Sequence, residues 1–107
     1  MAAEKTFETK VKKFLDEQGC YWIKTHGDRF SKKGVPDLII CCNGFFIGCE
    51  LKAENGKPSE LQKHHVELIQ KAGGISLILY PSGYEEFKEL VLFLKGFESI
   101  KINNLVY

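Results

Sequence analysis

Three charged residues, Asp37, Glu50 and Lys52, stand at the ends of two apolar stretches joined by the dipeptide Asn43-Gly44. That dipeptide is the strongest short hairpin signal, and a two-residue turn fixes the pairing of its arms. Cys42 then faces Phe45, and the numbers of opposed residues sum to 87. Asp37 faces Glu50 on one side of the ladder, with Cβ atoms roughly 4.5–5.5 Å apart. Lys52 shares that side, two residues on. Opposed carboxylates on a half-buried sheet need a proton or a cation. One reading is a surface ion-pair cluster in which Lys52 supplies part of the charge. The other is a divalent metal: octahedral Mg²⁺, at roughly 2.1 Å from each ligand, accepts two carboxylate oxygens about 3 Å apart, which this register allows. The geometry favours the metal.

Helical and strand periodicities predict the elements that must hold these residues. Phe7, Val11, Phe14 and Leu15 recur at helical spacing, with Thr6 as the expected N-cap and Gly19 as the stop. Residues 20–25 are aromatic and β-branched, which suits a strand. Pro36 opens a strand over 37–42, and the hairpin returns over 45–52. A polar loop, 53–58, leads to Ser59-Glu60-Leu61-Gln62, a capping box, and to a helix whose expected inward stripe is Leu61, His65, Leu68 and Ala72. Gly73-Gly74 ends it, and 75–80 reads as a short buried strand. After Pro81-Ser82-Gly83, a third helix is expected over 84–95, with Phe87, Leu90, Val91 and Leu94 inward. Residues 96–107 read as a short strand or a tail. The order α-β-β-β-α-β-α implies an α/β fold, a mixed central sheet flanked by helices on both faces.

The 107 residues, 44% apolar and 27% charged, suit one globular domain spanning 1–107. The longest apolar runs, 38–42 and 90–94, are too short to cross a bilayer. Glu4, Lys5, Glu8 and Lys10 exclude the apolar core of a signal peptide from the first ten residues. Cys20, Cys41, Cys42 and Cys49 form no Cys-x-x-Cys pair, so neither a zinc site nor a disulfide scaffold is expected, and a reducing, cytoplasmic setting is. The net charge of +1 does not point to nucleic acid. Its distribution says more: Lys24, Arg29, Lys32 and Lys33 stand against Asp28 alone, a basic loop able to meet phosphates or simply to be solvated.

Pro36-Asp37 followed by Glu50-Leu51-Lys52 across a short hairpin resembles the PD-(D/E)xK nuclease superfamily. With Gly34-Val35 before it and Gln62 on the next helix, the pattern is similar to that of the virus-type replication-repair nuclease (VRR-NUC) family. The resemblance covers residues 8 to about 80 and implies a restriction-endonuclease-like αβββαβ core. It implies that Asp37 and Glu50 hold Mg²⁺ or Mn²⁺, with the Leu51 carbonyl as a further ligand. Lys52 would orient or deprotonate the attacking water and offset transition-state charge. The first helix would add an acid, carried to Glu8, with Glu4 one turn earlier as rival. The alternative for Glu8 is a first-turn acid favoured by the helix dipole. Gln62 would point to the active centre, although the capping box alone explains it. His26, His64 and His65 are expected in packing or solvent. The implied activity is metal-dependent hydrolysis of DNA phosphodiesters, selective for branched or junction DNA in the manner of a Holliday-junction resolvase and carried out by a homodimer. The competing readings are a non-catalytic nucleic-acid-binding domain of the same fold and a flap or nonspecific nicking nuclease.

Overall fold

A computed structural model describes residues 2–25 and 33–98. The chain runs α1 (Ala2–Glu17), β1 (Tyr21–Lys24), β2 (Leu38–Cys42), β3 (Phe45–Leu51), α2 (Glu60–Lys71), β4 (Ile75–Leu79), a 3₁₀ turn (Pro81–Gly83) and α3 (Tyr84–Lys95). The four strands lie in the order β1-β2-β3-β4, antiparallel through β3 and parallel from β3 to β4. This is the expected mixed sheet with flanking helices, consistent with a restriction-endonuclease-like fold. Among the described residues no helix is long and apolar enough to cross a membrane.

The hairpin keeps the predicted register. Cys42 pairs with Phe45 and Leu38 with Cys49, so every pair sums to 87. Asn43 and Gly44 both have positive φ, 52° and 87°, which is the backbone that an Asn-Gly turn between twisted strands requires. Asn43 also donates its side-chain amide to the carbonyls of Leu94 and Phe97, at 2.9 and 2.6 Å. The hairpin tip is thereby tied to the end of α3.

Alternation then sorts the side chains. Leu38, Ile40 and Cys42 of β2 and Ile47, Cys49 and Leu51 of β3 are buried against α1 and α3, which contribute Phe7, Val11, Phe14, Leu15, Phe87, Val91 and Leu94. The opposite face meets α2. The approach there is close because Gly48 has no side chain: a Cβ would lie 2.7 Å from Ile69 Cδ1 and 3.2 Å from Pro36 Cγ. This brings the N-terminus of α2 over the end of β3.

Three expectations are corrected. Thr6 is not the N-cap, because α1 begins at Ala2; Ala2, Ala3, Glu4 and Lys5 are good helix formers, and no glycine or proline separates them from Thr6. Glu8 therefore lies beyond the first turn, and the helix-dipole explanation for an acid there fails. The stripe Leu61, His65, Leu68, Ala72 is not the packed side of α2. Leu61, Leu68 and Ala72 are exposed, and of the stripe only His65 is half-buried, together with Gln62, Val66 and Ile69. The contact is set by the gap at Gly48, which admits Ile69, rather than by the most apolar line along the helix. Finally, β2 and β3 stop one residue short of 37 and 52, for a reason that lies in the site.

Candidate active site

Asp37 leaves the ladder but is held on both sides. Its carbonyl accepts the Thr25 N–H at 2.8 Å, while the Thr25 hydroxyl donates to the Pro36 carbonyl at 2.8 Å. Its carboxylate Oδ2 accepts the Leu51 N–H at 3.0 Å. A side-chain oxygen thus takes the place of the next ladder carbonyl, which is why the strand ends there and the carboxylate cannot swing away.

Glu50, across the hairpin, is 2% exposed. Its Oε2 accepts from Gln62 Nε2 at 2.9 Å and lies 3.4 Å from Lys52 Nζ. Its Oε1 is buried and has no hydrogen-bond partner. Burial, and then the neighbouring charge of Asp37, push this carboxyl up to about 7, against partial relief from Lys52. A desolvated carboxylate with one unsatisfied oxygen is costly unless a cation completes it. The donor set fits a hard divalent cation: two carboxylates, one of them with a buried oxygen to spare.

Gln62 both caps its helix and reaches the active centre. Its Oε1 accepts the Ser59 N–H at 2.8 Å while Ser59 Oγ accepts the Gln62 N–H, closing the capping box. Its Nε2 is then directed to Glu50 in the same rotamer.

Glu8 is tied to this pair only through a lysine. Lys24 Nζ is 2.8 Å from Glu8 Oε1 and 3.7 Å from Asp37 Oδ1, and Lys12 Nζ is 2.6 Å from Glu8 Oε2. Burial raises the Glu8 carboxyl, but its bonds to Lys12 and Lys24 outweigh that and hold it below the usual value. Burial likewise lowers Lys24, and the two carboxylates more than reverse it. Among the described residues, no three His, Cys, Asp or Glu side chains converge to hold a metal. Glu4 lies one turn earlier on α1, half-buried.

Of the remaining candidates, Lys33 is exposed; His64 is exposed and His65 half-buried on α2. His26, Arg29 and Lys32 lie outside the described residues, as does the tail 99–107. Sequence reasoning missed Lys12 and Thr25. Lys12 carried a signal, its place four residues after Glu8. Thr25 carried none, because its role depends on β1 lying beside Asp37.

Residues 2–80 match the family model of the archaeal Holliday junction resolvases (Hjc). The chain belongs to that family. It is accordingly a member of the PD-(D/E)xK nuclease superfamily, and the family's activity is nucleolytic resolution of branched DNA. The matched stretch contains Glu8, Lys24, Asp37, Glu50, Lys52 and Gln62 and stops before α3. A comparison with curated proteins finds no match. Resolvases of this family are in general dependent on a divalent metal, in keeping with the unsatisfied oxygen of Glu50.

Proposed function

We propose that this chain is a Mg²⁺- or Mn²⁺-dependent endonuclease that nicks four-way DNA junctions in replication, recombination or repair. The observation that carries the reading is the buried Glu50 carboxylate, with Oε1 unpartnered, beside Asp37 in a chain of the resolvase family. The similarity of Gly34-Val35-Pro36-Asp37 and Gln62 to the VRR-NUC pattern supports the same chemistry.

Asp37, Glu50 and the Leu51 carbonyl would hold the ion, with Glu8 as an additional ligand. When bound, the ion supplies Lewis acidity toward the scissile phosphate and lowers the pKa of water. Gln62 fixes the Glu50 carboxylate through Oε2 and leaves the unpartnered Oε1 as the oxygen that would be available to an ion. Lys52, 3.4 Å from Glu50, orients the attacking water and offsets charge that builds on the phosphate. Lys24, Arg29, Lys32 and Lys33 contact the DNA backbone, and recognition rests on shape rather than base edges.

A junction offers symmetric strands, and each chain carries one such site, so the working unit is a twofold homodimer. The exposed Leu92, Phe93 and Phe97 of α3 and the segment after it, with Leu105, Val106 and Tyr107 beyond the described residues, supply its contact. The four free thiols suit a reducing cytoplasm.

The test is cleavage of four-way junction, flap and supercoiled plasmid substrates with Mg²⁺, Mn²⁺ or EDTA, alongside light scattering. Paired nicks on the junction, abolished by EDTA, from a particle of twice 12.2 kDa are expected. A monomer that nicks flaps as readily as junctions would reject junction resolution and leave a nicking nuclease; no cleavage under any condition would reject the nuclease.

A further inference from the structure

Lys24 stands where an extra cation is needed. It is the last residue of β1, it lies between two carboxylates from different elements, and it is 29% exposed, so its head group has room to leave. Glu8 does not depend on it entirely, because Lys12 holds the other oxygen. Departure of Lys24 would leave Glu8 anchored through Oε2 and its Oε1 free on the side of Asp37.

Formal charge supports the same view. Glu8, Asp37 and Glu50 are matched in number by Lys12, Lys24 and Lys52. A divalent ion added to this set brings two uncompensated positive charges, and the ammonium nearest to Asp37 is the one repelled most directly.

We propose that Lys24 is an internal stand-in for the metal: its ammonium holds Glu8 and Asp37 in position when no ion is bound, and yields that place when the ion enters, turning outward to the DNA phosphates. This rests on the assignment of Asp37 and Glu50 as ion ligands. Lys24 is thus a positioning residue, and it makes Glu8 a ligand that is present only in the loaded state.

The test reads Lys24 itself in the wild-type chain. Acetylation by an N-hydroxysuccinimide ester, followed by peptide mass spectrometry, should be slow at Lys24 without metal and rise several-fold with saturating Mg²⁺. Lys88, which bridges to Glu85 on α3 and is 30% exposed, is the internal control. In calorimetry, Lys24→Met should bind Mn²⁺ about tenfold more tightly, a gain of about 1.4 kcal/mol, since the ion no longer displaces an ammonium; Lys24→Arg should not. Mn²⁺ binding that is lost in Asp37→Asn while Lys24 labelling stays unchanged would overturn the role of Lys24 and leave the ion site intact. Absence of Mn²⁺ binding to wild type, or binding retained in Asp37→Asn, would overturn both. The labelling arm needs no variant to fold.

Discussion

The two faces of the sheet are made from alternate residues of the same strands, yet they are finished differently. Toward α1 and α3, Leu38, Ile40, Cys42, Ile47, Cys49 and Leu51 are sealed from water. Toward α2, Phe46 of β3 is 44% exposed, and Tyr21 and Ile23 of β1 are 67% and 50% exposed. No residue of α2 is fully buried. The contrast amounts to a division of labour. One face carries stability, so the other can hold an unfavourable group, Glu50, which is the one acid buried on the thinly covered side among the described residues.

The largest effect is expected at Glu50. Glu50→Gln and Asp37→Asn should each lower junction cleavage by roughly 10³-fold, the scale of a lost transition-state stabiliser. Metal-free melting temperature should hold or rise in Glu50→Gln, because a buried carboxylate with one unsatisfied oxygen is removed. Full activity in either variant would remove the chemistry from this face.

On the sealed face, Ile47→Ala should cost about 3 kcal/mol in urea unfolding, whereas Phe46→Ala, one residue away, should cost no more than about 1.5 kcal/mol. Equal losses would mean that the faces share the load.

A pH series tests the same division more finely. Below the ordinary carboxyl value of 4.5 Glu50 is protonated folded or unfolded. As pH rises toward about 7 the unfolded chain ionises first, so metal-free wild type should lose stability relative to Glu50→Gln. The loss is at most about 3 kcal/mol and is complete above that pH. Urea titrations of both proteins from pH 4 to 8 measure it; a constant difference would place Glu50 in an ordinary environment. The smallest effect is expected at Ser59→Ala, about 1 kcal/mol from the lost cap, with a modest fall in cleavage as Gln62 loosens.

The hairpin was readable because turn chemistry and alternation are local rules. Asn43-Gly44 determines which residues oppose, and the burial of Leu38, Ile40 and Cys42 agrees with it. The limits of α3 were readable for the same reason, between Pro81-Ser82-Gly83 and Gly96. The rotation of α2 was not, since it depends on a hole at Gly48 made by a different strand. Nor was the bridge Lys12–Glu8–Lys24–Asp37, which needs α1 packed beneath β1. The Pro36-Asp37 and Glu50-Leu51-Lys52 pattern identified the superfamily but resembled VRR-NUC, whereas the family that matches is the junction resolvase one; those short motifs are shared across the superfamily and do not separate its branches.

The Asn43-Gly44 tip, fastened to the end of α3, makes the hairpin a gauge with parity. A codon gained or lost within residues 45–49 would turn Glu50 toward the sealed face and remove it from Gln62. One gained in each arm would keep Asp37 opposite Glu50 but carry both to that wrong side. Only two per arm, four codons at once, restores the arrangement, and the tether on Asn43 opposes slippage that would disguise a smaller change. The loop 53–58 carries no such constraint. Length variation among genes for chains of this design should therefore gather in that loop and leave the thirteen-residue step from Asp37 to Glu50 untouched.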